Sequence, residues 1–384
     1  MKVRSATIAG AGIAGLTAAL CLARTGYQVD IFERATEILP VGAGLQLSAN
    51  ALRVIQRLGC LEELQALASE ADTVTLRSGS SGRIIATVPV RSQDGTPYLS
   101  VHRADLHRVL FSEVTANPQI RLHLGTGVTG VELRENHAAL TLESDGRVSS
   151  HDTPLLVAAD GIHSAIAESQ GFASPIRSGF TASRMILPAS AANHRLATVE
   201  AWVGSARHAV SYPIHSGTAI NLVFISPDMP DADDSGHKTA LLQQFSHWNS
   251  ELAQLMQIAD YVGQWPLSTA PVQRPYHING VVAFVGDAAH AMLPFAAQGA
   301  AMAIEDAAVL AHCLHTYGKD ALAQYEAQRR PRITKVLKRV RFHDVMYHMP
   351  KPLSYGRDLA LRLTPKEKLR STLGWLYDWQ PPEF

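Results

Sequence analysis

A glycine-rich turn near the amino terminus constrains the fold of this chain more than any other feature. Gly10, Gly12 and Gly15 follow the apolar segment VRSATIAG and precede a helical pattern marked by Ile13 and Leu16. In a GxGxxG turn the glycines allow a tight bend, close approach of the backbone to a pyrophosphate, and packing of helix on strand. The segment therefore predicts a strand, a tight turn and a helix that together bind a dinucleotide.

A second strand pattern, YQVDIFER, follows the helix and completes a βαβ unit. It closes at Glu33, 18 residues after Gly15, where a carboxylate can accept hydrogen bonds from both hydroxyls of an adenosine ribose. The glycines and Glu33 predict an adenine dinucleotide, but they do not separate NAD from FAD.

Later strand patterns favour FAD. The segment PLLVAADG ends at Asp160 and VVAFVGD ends at Asp287, while RLHLGTGVTGVEL resembles a third buried strand. A carboxylate at the end of a buried strand is costly unless a partner satisfies it, and a cofactor hydroxyl is such a partner. FAD is long enough to need groups from several strands, whereas a simple NAD dehydrogenase has no reason to reuse strand ends so far downstream.

Composition and charge narrow the class of protein. The chain has 384 residues, enough for two structural units, and its 34 basic and 34 acidic residues argue against nucleic acid as a partner. Three cysteines without metal-ligand spacing predict neither a disulfide framework nor a metal site. The uncharged run Ser5–Ala23 resembles a signal peptide, but cleavage would remove the glycine motif. We therefore predict a cytoplasmic protein without a membrane anchor.

The remaining patterns outline the chain. Helical spacing extends from about Asn50 to Leu67 and again after HRADLHRVL, and residues 72–90 resemble paired strands joined by SGSSGR. Residues 178–265 look strand-like, and the chain from Ala297 onward looks mostly helical. The basic run RRPRITKVLKRVR favours a solvated helix face over a nucleic-acid patch, because apolar residues form a stripe behind its charges.

Five motifs in this order resemble the class A flavoprotein aromatic monooxygenases, which include p-hydroxybenzoate hydroxylase, and most closely the salicylate hydroxylase-like branch. The motifs are GAGIAG with FER, VGAGLQLSANALRVI, HRADLHRVL, ADGIHSAI and GDAAHAMLPFAAQGAAMAIEDA. The resemblance implies an α/β fold with a Rossmann-like FAD-binding domain of the p-hydroxybenzoate hydroxylase type, an inserted mixed β-sheet substrate domain, and C-terminal helices. We expect FAD-binding segments at 1–70, 98–177 and 276–330, substrate-domain segments at 71–97 and 178–275, and a helical segment at 331–384.

The same resemblance assigns residues to the cofactor. Glu33 would hold the adenosine ribose with Arg34 beside it, Val128 would meet the adenine edge through its backbone, and Asp287 would accept a ribityl hydroxyl. Arg103 would lie near the pyrophosphate or ribityl chain; a helix cap or surface ion pair is the alternative for this residue. The full expected set is Gly10, Gly12, Ala14, Gly15, Glu33, Arg34, Gly44, Gln46, Arg103, Val128, Asp160, Gly286, Asp287, Gln298, Gly299 and Ala300.

For catalysis the sequence offers Pro294, which opens a loop expected to lie along the isoalloxazine ring, and the pair His208 and Tyr212. These two are four apart and share one face of a strand, where either could bind a ring hydroxyl or help remove a phenol proton. A core role for Tyr212 is the alternative. Arg184 could pair with a substrate carboxylate, although a structural ion pair is favoured, and His290 is expected to pack or cap.

Two departures from the family pattern stand out. Ala167 occupies the position at which the DG motif usually has arginine, and Ser211 stands where many relatives have histidine, so no catalytic histidine is carried over to that position. Neither a second GxGxxG nor a nicotinamide domain is evident, as in class A enzymes, which bind NADH or NADPH transiently.

The resemblance implies that NAD(P)H reduces bound FAD, that O2 is captured as a flavin C4a-hydroperoxide, and that its distal oxygen is transferred to a small aromatic or heteroaromatic ring. A flavin dehydrogenase or reductase of the same fold is the alternative that Ala167 favours, and a non-catalytic nucleotide-binding protein is the third interpretation. We expect a monomer or homodimer.

Overall fold

The structure is a computed structural model that describes residues 4–38, 44–191, 198–228 and 234–384. The strands in these ranges are β1 (Arg4–Ala9), β2 (Tyr27–Glu33), β3 (Gly44–Leu47), β4 (Ser69–Ala71), β5 (Thr73–Ser78), β6 (Ile84–Pro89), β7 (Tyr98–His102), β8 (Ile120–Leu124), β9 (Gly127–Leu133), β10 (Ala138–Ser144), β11 (Arg147–Thr153), β12 (Leu156–Ala158), β13 (Ile176–Pro188), β14 (Val199–Gly204), β15 (Arg207–Ile214), β16 (Ala219–Pro227), β17 (Asp260–Thr269), β18 (His277–Ile278) and β19 (Val282–Phe284).

The helices of the described chain are α1 (Ile13–Arg24), α2 (Ala49–Arg57), α3 (Leu61–Leu67), α4 (Arg103–Ala116), α5 (Ala165–Ser169), α6 (Asp234–Gln244), α7 (Ser250–Ile258), α8 (Asp287–His290), α9 (Gly299–Thr316), α10 (Ala321–His348), α11 (Leu353–Leu363) and α12 (Lys366–Tyr377). None of them is both long enough and apolar enough to cross a lipid bilayer.

A six-stranded sheet in the order β18-β19-β12-β1-β2-β8 forms the centre of the first unit. Its strands from β19 to β8 are parallel, and only β18 runs antiparallel. Ala9 pairs with Ala158, and Ala158 pairs with Phe284, so three strands end level with one another. The runs PLLVAADG and VVAFVGD are thus confirmed as parallel strands whose carboxyl ends meet at one edge of the sheet. The run RLHLGTGVTGVEL is confirmed only in its first half, β8, because its second half is β9, which pairs antiparallel with β10 in a separate three-stranded sheet.

The second large sheet has seven strands in the order β17-β13-β16-β15-β14-β5-β6. The hairpin expected within residues 72–90 is confirmed as β5 paired antiparallel with β6. In the register Arg184 pairs with Val223, and Val223 pairs with Val210, so these three side chains point to the same face. Since side chains alternate along a strand, His208 and Tyr212 share that face with Val210.

Two parts of the secondary-structure prediction were wrong. The helix expected from Asn50 to Leu67 is divided into α2 and α3, because Gly59 between them has a φ of +84° that does not continue a helix. Helices α6 and α7 interrupt the strand-like region, and α7 packs Leu252 and Leu255 into a second core cluster against the sheet. The start of the VGAGLQL motif, residues 41–43, lies outside the described residues.

The basic run forms a helix face with a buried apolar stripe behind it, as expected, except at its first arginine. It lies within α10, and its apolar stripe is buried as expected through Ile333, Val336 and Val340. Arg329, however, is only 1% exposed and points inward. Its acidic partners lie on α9, more than 20 residues earlier, and sequence periodicity does not reveal pairing over that distance.

Candidate active site

The glycine turn has the geometry that its sequence predicts. Gly10 has a φ of +99°, and a Cβ built on it would lie 2.6 Å from the Ala159 carbonyl oxygen. A Cβ on Gly15 would lie 1.9 Å from the Gly10 oxygen, so α1 approaches β1 too closely for any side chain there. A Cβ on Gly12, in contrast, would meet no atom within 4 Å. The turn therefore has no room for a side chain at Gly10 or Gly15, whereas the space beside Gly12 contains no protein atoms.

Glu33 ends β2 beside this turn. Its carboxylate accepts the backbone N–H of Ala11 at 2.7 Å and that of Ala35 at 2.9 Å, which fixes both oxygens in place. A Cβ on Gly127 would lie 3.3 Å from the Cβ of Arg34, so the start of β9, which contains Val128, lies against Arg34. The carboxyl ends of the parallel strands border a space that is called the cleft below. One end of this cleft is formed by Glu33, Arg34 and Val128, which are up to 95 residues apart in the sequence.

Two carboxylates stand at the adjacent strand ends, as the sequence predicts. Asp160 accepts the Ile166 N–H at 3.2 Å through Oδ2, whereas its buried Oδ1 has no hydrogen-bond partner in the described chain. Burial raises the pKa of Asp160, and its hydrogen bond with Ser164 partly offsets this effect. Burial also raises the pKa of Asp287 against the opposing effect of His290 and Arg103. Asp287 as a residue is nevertheless partly open to solvent at the end of its strand.

Arg103 lies close to Asp287, and Arg184 lies close to Arg103. Arg103 is the first residue of α4, and burial together with the neighbouring Arg184 lowers its pKa while Asp287 opposes this shift. The Arg184 guanidinium lies 5.1 Å from the centre of the Trp265 ring. Its Nε is buried without a hydrogen-bond partner, and no ion pair of Arg184 is found among the described residues. The structural ion pair favoured for Arg184 is therefore not observed.

The loop after α8 turns through residues of unusual geometry. Pro294 begins a short 3-10 turn (Pro294–Ala296) and is exposed, and Ala297 has a left-handed φ of +52°. Gln298 is only 1% exposed, because its amide donates to Ser48 Oγ at 3.0 Å and accepts from Asn50 Nδ2 at 3.2 Å. These two hydrogen bonds hold Gln298, and with it the loop, against Ser48 and Asn50. A Cβ on Gly299 would meet no atom within 4 Å, which leaves the backbone of the next turn, including Ala300, open to the cleft.

A buried ionic network that the sequence did not predict supports this loop. Asn50 Nδ2 also donates to Glu305 at 2.7 Å, and the Arg329 guanidinium binds both Glu305 and Asp306 at 2.7 Å. Arg332 adds a second guanidinium to Glu305 at 2.5 Å. The one sequence signal was the acidic pair in AMAIEDAAVL, since two adjacent carboxylates in an apolar helix need buried cations.

His290 belongs to the same network, in agreement with the packing role expected for it. Its Nε2 lies 2.6 Å from Asp306 Oδ2, and that oxygen also accepts the Gly286 N–H at 2.8 Å. Burial acts to raise the pKa of Asp306, but His290 and Arg329 outweigh it, so the pKa is lowered. Gly286 has a φ of +60°, and a Cβ there would lie 3.0 Å from that of Ala14. Ala14 therefore packs under the turn that presents Asp287.

The face of the seven-stranded sheet that carries His208 and Tyr212 covers the cleft. A Cβ on Gly44 would lie 2.4 Å from the Tyr212 ring, and the Gly44 N–H donates to Asn221 Oδ1 at 3.0 Å. Gln46 on the same strand accepts the Tyr98 hydroxyl at 2.7 Å. Burial raises the pKa of Tyr212, with Arg184 as the opposing neighbour. Tyr212 is thus both a packing residue against Gly44 and a neighbour of Arg184.

His208 lies at the other end of this face. It is 2% exposed, and its ring meets the Phe295 ring edge-on at 5.1 Å, which places it directly against the loop that begins at Pro294. Burial and two neighbouring histidines, His348 and His343, lower the pKa of His208 well below its usual value. His208 is therefore a neutral imidazole beside the loop at neutral pH.

Three side chains outside the cleft could approach a metal ion: His102, Asp105 and His215. His102 already accepts the Ala104 N–H as the cap of α4, and His215 Nδ1 lies 3.1 Å from Asp105. The two imidazole rings stack at 4.8 Å with only 23° between their planes. Because His102 already caps α4 and His215 already contacts Asp105, we interpret the group as a helix cap.

The cleft fits FAD in its open spaces and in its polar groups. The open backbone at Gly12 leaves room for a pyrophosphate at the start of α1, where helix amides favour anions. The buried Asp160 Oδ1 lacks a partner among the described residues, and Asp287 is exposed at the end of the neighbouring strand, so both could accept cofactor hydroxyls. A Rossmann-like turn, three level strand ends and a second sheet above them define a flavoprotein that binds FAD across its strand ends.

The chain belongs to the FAD binding domain family, whose match covers residues 3–340. It is 34% identical over 380 residues to the 3-amino-4-hydroxybenzoate 2-monooxygenase of Streptomyces cremeus, covering 96% of this chain and 94% of the relative. It is 31% identical to the 6-hydroxynicotinate 3-monooxygenase of Pseudomonas fluorescens, covering 86% and 88%. The structure of a salicylate hydroxylase substrate complex superposes with a TM-score of 0.81 at 25% identity, covering 98% and 96%.

These comparisons confirm the fold class, the FAD cofactor and the resemblance to class A flavoprotein aromatic monooxygenases. The chain is an FAD-dependent monooxygenase of aromatic compounds. The roles of individual residues in the cleft and the domain boundaries stay predictions.

Proposed function

We propose that this enzyme uses NADH or NADPH and O2 to hydroxylate a small aromatic or heteroaromatic ring that carries both a hydroxyl and a carboxylate. The relatives named for 3-amino-4-hydroxybenzoate and 6-hydroxynicotinate act on rings with this pair of substituents. Its three cysteines are buried and unpaired, which supports a reducing, cytoplasmic setting. We propose a monomer or homodimer, with the FAD-binding, substrate and C-terminal segments divided as the sequence predicts.

The observation that carries this proposal is the relation of Arg184 to His208. Both side chains point to the cleft face of the seven-stranded sheet, from β13 and β15, which are two strand spacings apart. That separation is about 10 Å between backbones, which leaves room for a substituted ring between the two side chains. The Nε of Arg184 is buried without a partner in the part of the chain that the structure describes, and a carboxylate would satisfy it.

In this arrangement the protein positions the substrate and controls its protons. Arg184 would bind the carboxylate, while His208, as a neutral imidazole, would accept the proton of the ring hydroxyl and make the ring more electron-rich. Pro294 and Phe295 would exclude water on the side of the flavin. Bound FAD would supply the redox chemistry and the activation of O2.

The cofactor assignments follow the same geometry. We propose that Glu33 with Arg34 and Val128 holds the adenosine end, that the turn of Gly10, Gly12, Ala14 and Gly15 holds the pyrophosphate with Arg103, and that Asp160 and Asp287 accept hydroxyls. Gly286 positions Asp287, and the backbone of Gln298, Gly299 and Ala300 would lie along the flavin ring. Gly44 and Gln46 would close the side of the cleft below Tyr212.

Purified protein should be yellow, and its oxidation of NADH or NADPH should accelerate with 3-amino-4-hydroxybenzoate, 6-hydroxynicotinate or salicylate. The matched controls are the same rings without the carboxylate, 2-aminophenol, 2-hydroxypyridine and phenol, which should stimulate weakly. With ¹⁸O2 the product should gain one labelled oxygen. Stimulated reductant oxidation that yields only hydrogen peroxide for every ring tested would contradict hydroxylation of this substrate class.

A further inference from the structure

His208 is the inner end of a chain of side chains that leads to the protein surface. Its Nδ1 lies 2.8 Å from Nε2 of His348, and Nδ1 of His348 lies 2.8 Å from Oδ1 of Asp344. His208 is 2% exposed, whereas the Asp344 side chain is 36% exposed. Three side chains in hydrogen-bond contact thus connect the cleft face of β15 with solvent at the end of α10.

The chemistry of the three groups sets the direction of the hydrogen bonds. A carboxylate only accepts, so His348 donates its Nδ1 proton to Asp344 and keeps Nε2 as an acceptor. His208 must then donate its Nδ1 proton to His348, which leaves Nε2 of His208 as the unprotonated nitrogen. That nitrogen makes no hydrogen bond to any residue that the structure describes. The hydrogen bond to Asp344 therefore fixes the tautomers of both histidines, so that Nε2 of His208 is unprotonated and can act as a base.

Aromatic rings pack around the two histidines of this series. Phe180 stacks on His348 at 5.1 Å with 19° between the rings, and Phe295 and Tyr347 meet the His208 ring edge-on at 5.1 Å. These rings bury the contact between the two histidines, so the imidazole nitrogens are the polar groups placed to carry a proton outward.

His343 lies near these three side chains but is not hydrogen-bonded to them. His343 directs Nδ1 at the Phe295 carbonyl oxygen, 2.7 Å away, and stacks on Tyr347. Burial and Arg339 lower the pKa of His343 to about 4. Burial also lowers the pKa of His348, against the effect of Asp344. Because these histidines stay neutral near pH 7, each can pass a proton on without storing one.

We propose that His208, His348 and Asp344 form a proton relay that conducts the hydroxyl proton of the bound substrate to solvent. The proposal rests on the proposed function. As the substrate O–H bond breaks, its proton bonds to Nε2 of His208, the Nδ1 proton of His208 moves to Nε2 of His348, and the Nδ1 proton of His348 leaves through Asp344 to water. The substrate becomes a phenolate, and one proton is released for each ring bound. His348 and Asp344 lie beyond residue 340, where the family match ends.

The relay can be tested without turnover. Oxidised holoenzyme is mixed with 3-amino-4-hydroxybenzoate in weakly buffered solution containing a pH indicator, and proton release is followed by stopped flow while binding is followed by flavin fluorescence. Wild type should release a proton with binding. His348→Phe keeps a ring against Phe180 but has no nitrogen, so proton release should slow by about 100-fold. Glu367→Gln, which removes an exposed carboxylate from α12, is the control and should behave as wild type.

A second variant separates conduction from packing. In His348→Ala, added imidazole should restore proton release in proportion to its concentration, whereas 1-methylimidazole, of similar size but with no N–H to pass on, should not. Equal rescue by both compounds, or wild-type release in His348→Phe, would overturn the relay. If wild type binds and hydroxylates the ring without releasing a proton, the relay fails while the proposed function stands. If wild type binds and hydroxylates none of the rings, the proposed function fails and the relay with it.

Discussion

The carboxylate of Asp306 accepts the backbone N–H of Gly286 at 2.8 Å and so connects the middle of α9 to the turn that presents Asp287. The same carboxylate binds Arg329 and His290, so the turn that presents Asp287 is part of one buried ionic network. Removing one partner of a buried ion pair leaves the other charge without compensation.

Asp306→Asn is therefore expected to lower the free energy of unfolding by about 3–5 kcal/mol, because Arg329 loses a buried counter-charge. Urea denaturation of the FAD-loaded protein measures the change. Asp320→Asn is the matched control, since Asp320 is exposed and its side chain makes no cap hydrogen bond to α10. Equal stability of the two variants would show that the network contributes little.

Alanine substitutions at Gly12 and Gly15 should affect different properties, namely FAD binding and fold stability. Gly15→Ala places a Cβ against the Gly10 backbone and should destabilise the fold, which thermal unfolding reports. Gly12→Ala meets no protein atom, so the fold should persist while the methyl group occupies the space for the pyrophosphate. Its FAD occupancy, read from the absorbance spectrum, should fall sharply. A yellow Gly12→Ala protein would argue against pyrophosphate binding at this turn.

Asp287→Ala should weaken FAD retention by about 10-fold to 100-fold, the loss expected for one hydrogen bond to a charged group. Quenching of free-flavin fluorescence during titration of the FAD-free protein gives the dissociation constant. The control is Glu367→Ala, an exposed acidic residue on α12. Unchanged affinity in Asp287→Ala would remove the proposed contact with a cofactor hydroxyl.

Arg184→Ala should raise KM for carboxylate-bearing rings by at least about 10-fold, with a smaller effect on rings that lack the carboxylate. Arg184→Lys should recover only part of the loss, because an ammonium group does not match a carboxylate bidentately and does not stack on Trp265 in the same way. Steady-state kinetics with each pair of rings measures the difference. An equal loss for both members of a pair would assign Arg184 to the fold or the cofactor.

Acid should destabilise the protein between about pH 6.5 and about pH 4, because His343 ordinarily titrates at 6.5 and its pKa in the fold is about 4. In that window the unfolded chain binds a proton that the folded chain does not, so stability falls as pH falls. The slope is on the order of 1.4 kcal/mol per pH unit for each such histidine. Urea titrations at several pH values test this, and His343→Gln should reduce the slope.

Much of the fold and of the cofactor cleft was predictable because the signals are local. The GxGxxG turn, Glu33 and the aspartates at strand ends each lie next to an apolar strand pattern, and parallel strands bring such ends together. The break at Gly59 depends on a positive φ that helical periodicity does not reveal. The burial of Arg329 and the contact of His208 with His348 depend on partners 23 and 140 residues away, which only the packed chain brings together.

The segment beyond residue 340, where the family match ends, contacts the rest of the chain at several places, two of which adjoin the candidate site. At one, the rings of Tyr347 and His348 pack against the ring of His208. At the other, Arg53 on α2 donates to the carbonyl oxygens of Tyr377 and Trp379, and α2 also carries Asn50, which donates to Gln298 in the loop after α8. Substitutions in the last helices would therefore act directly on the packing around His208 and on the support of α2, whereas the glycine turn and the aspartates at the strand ends have their own contacts within the first sheet.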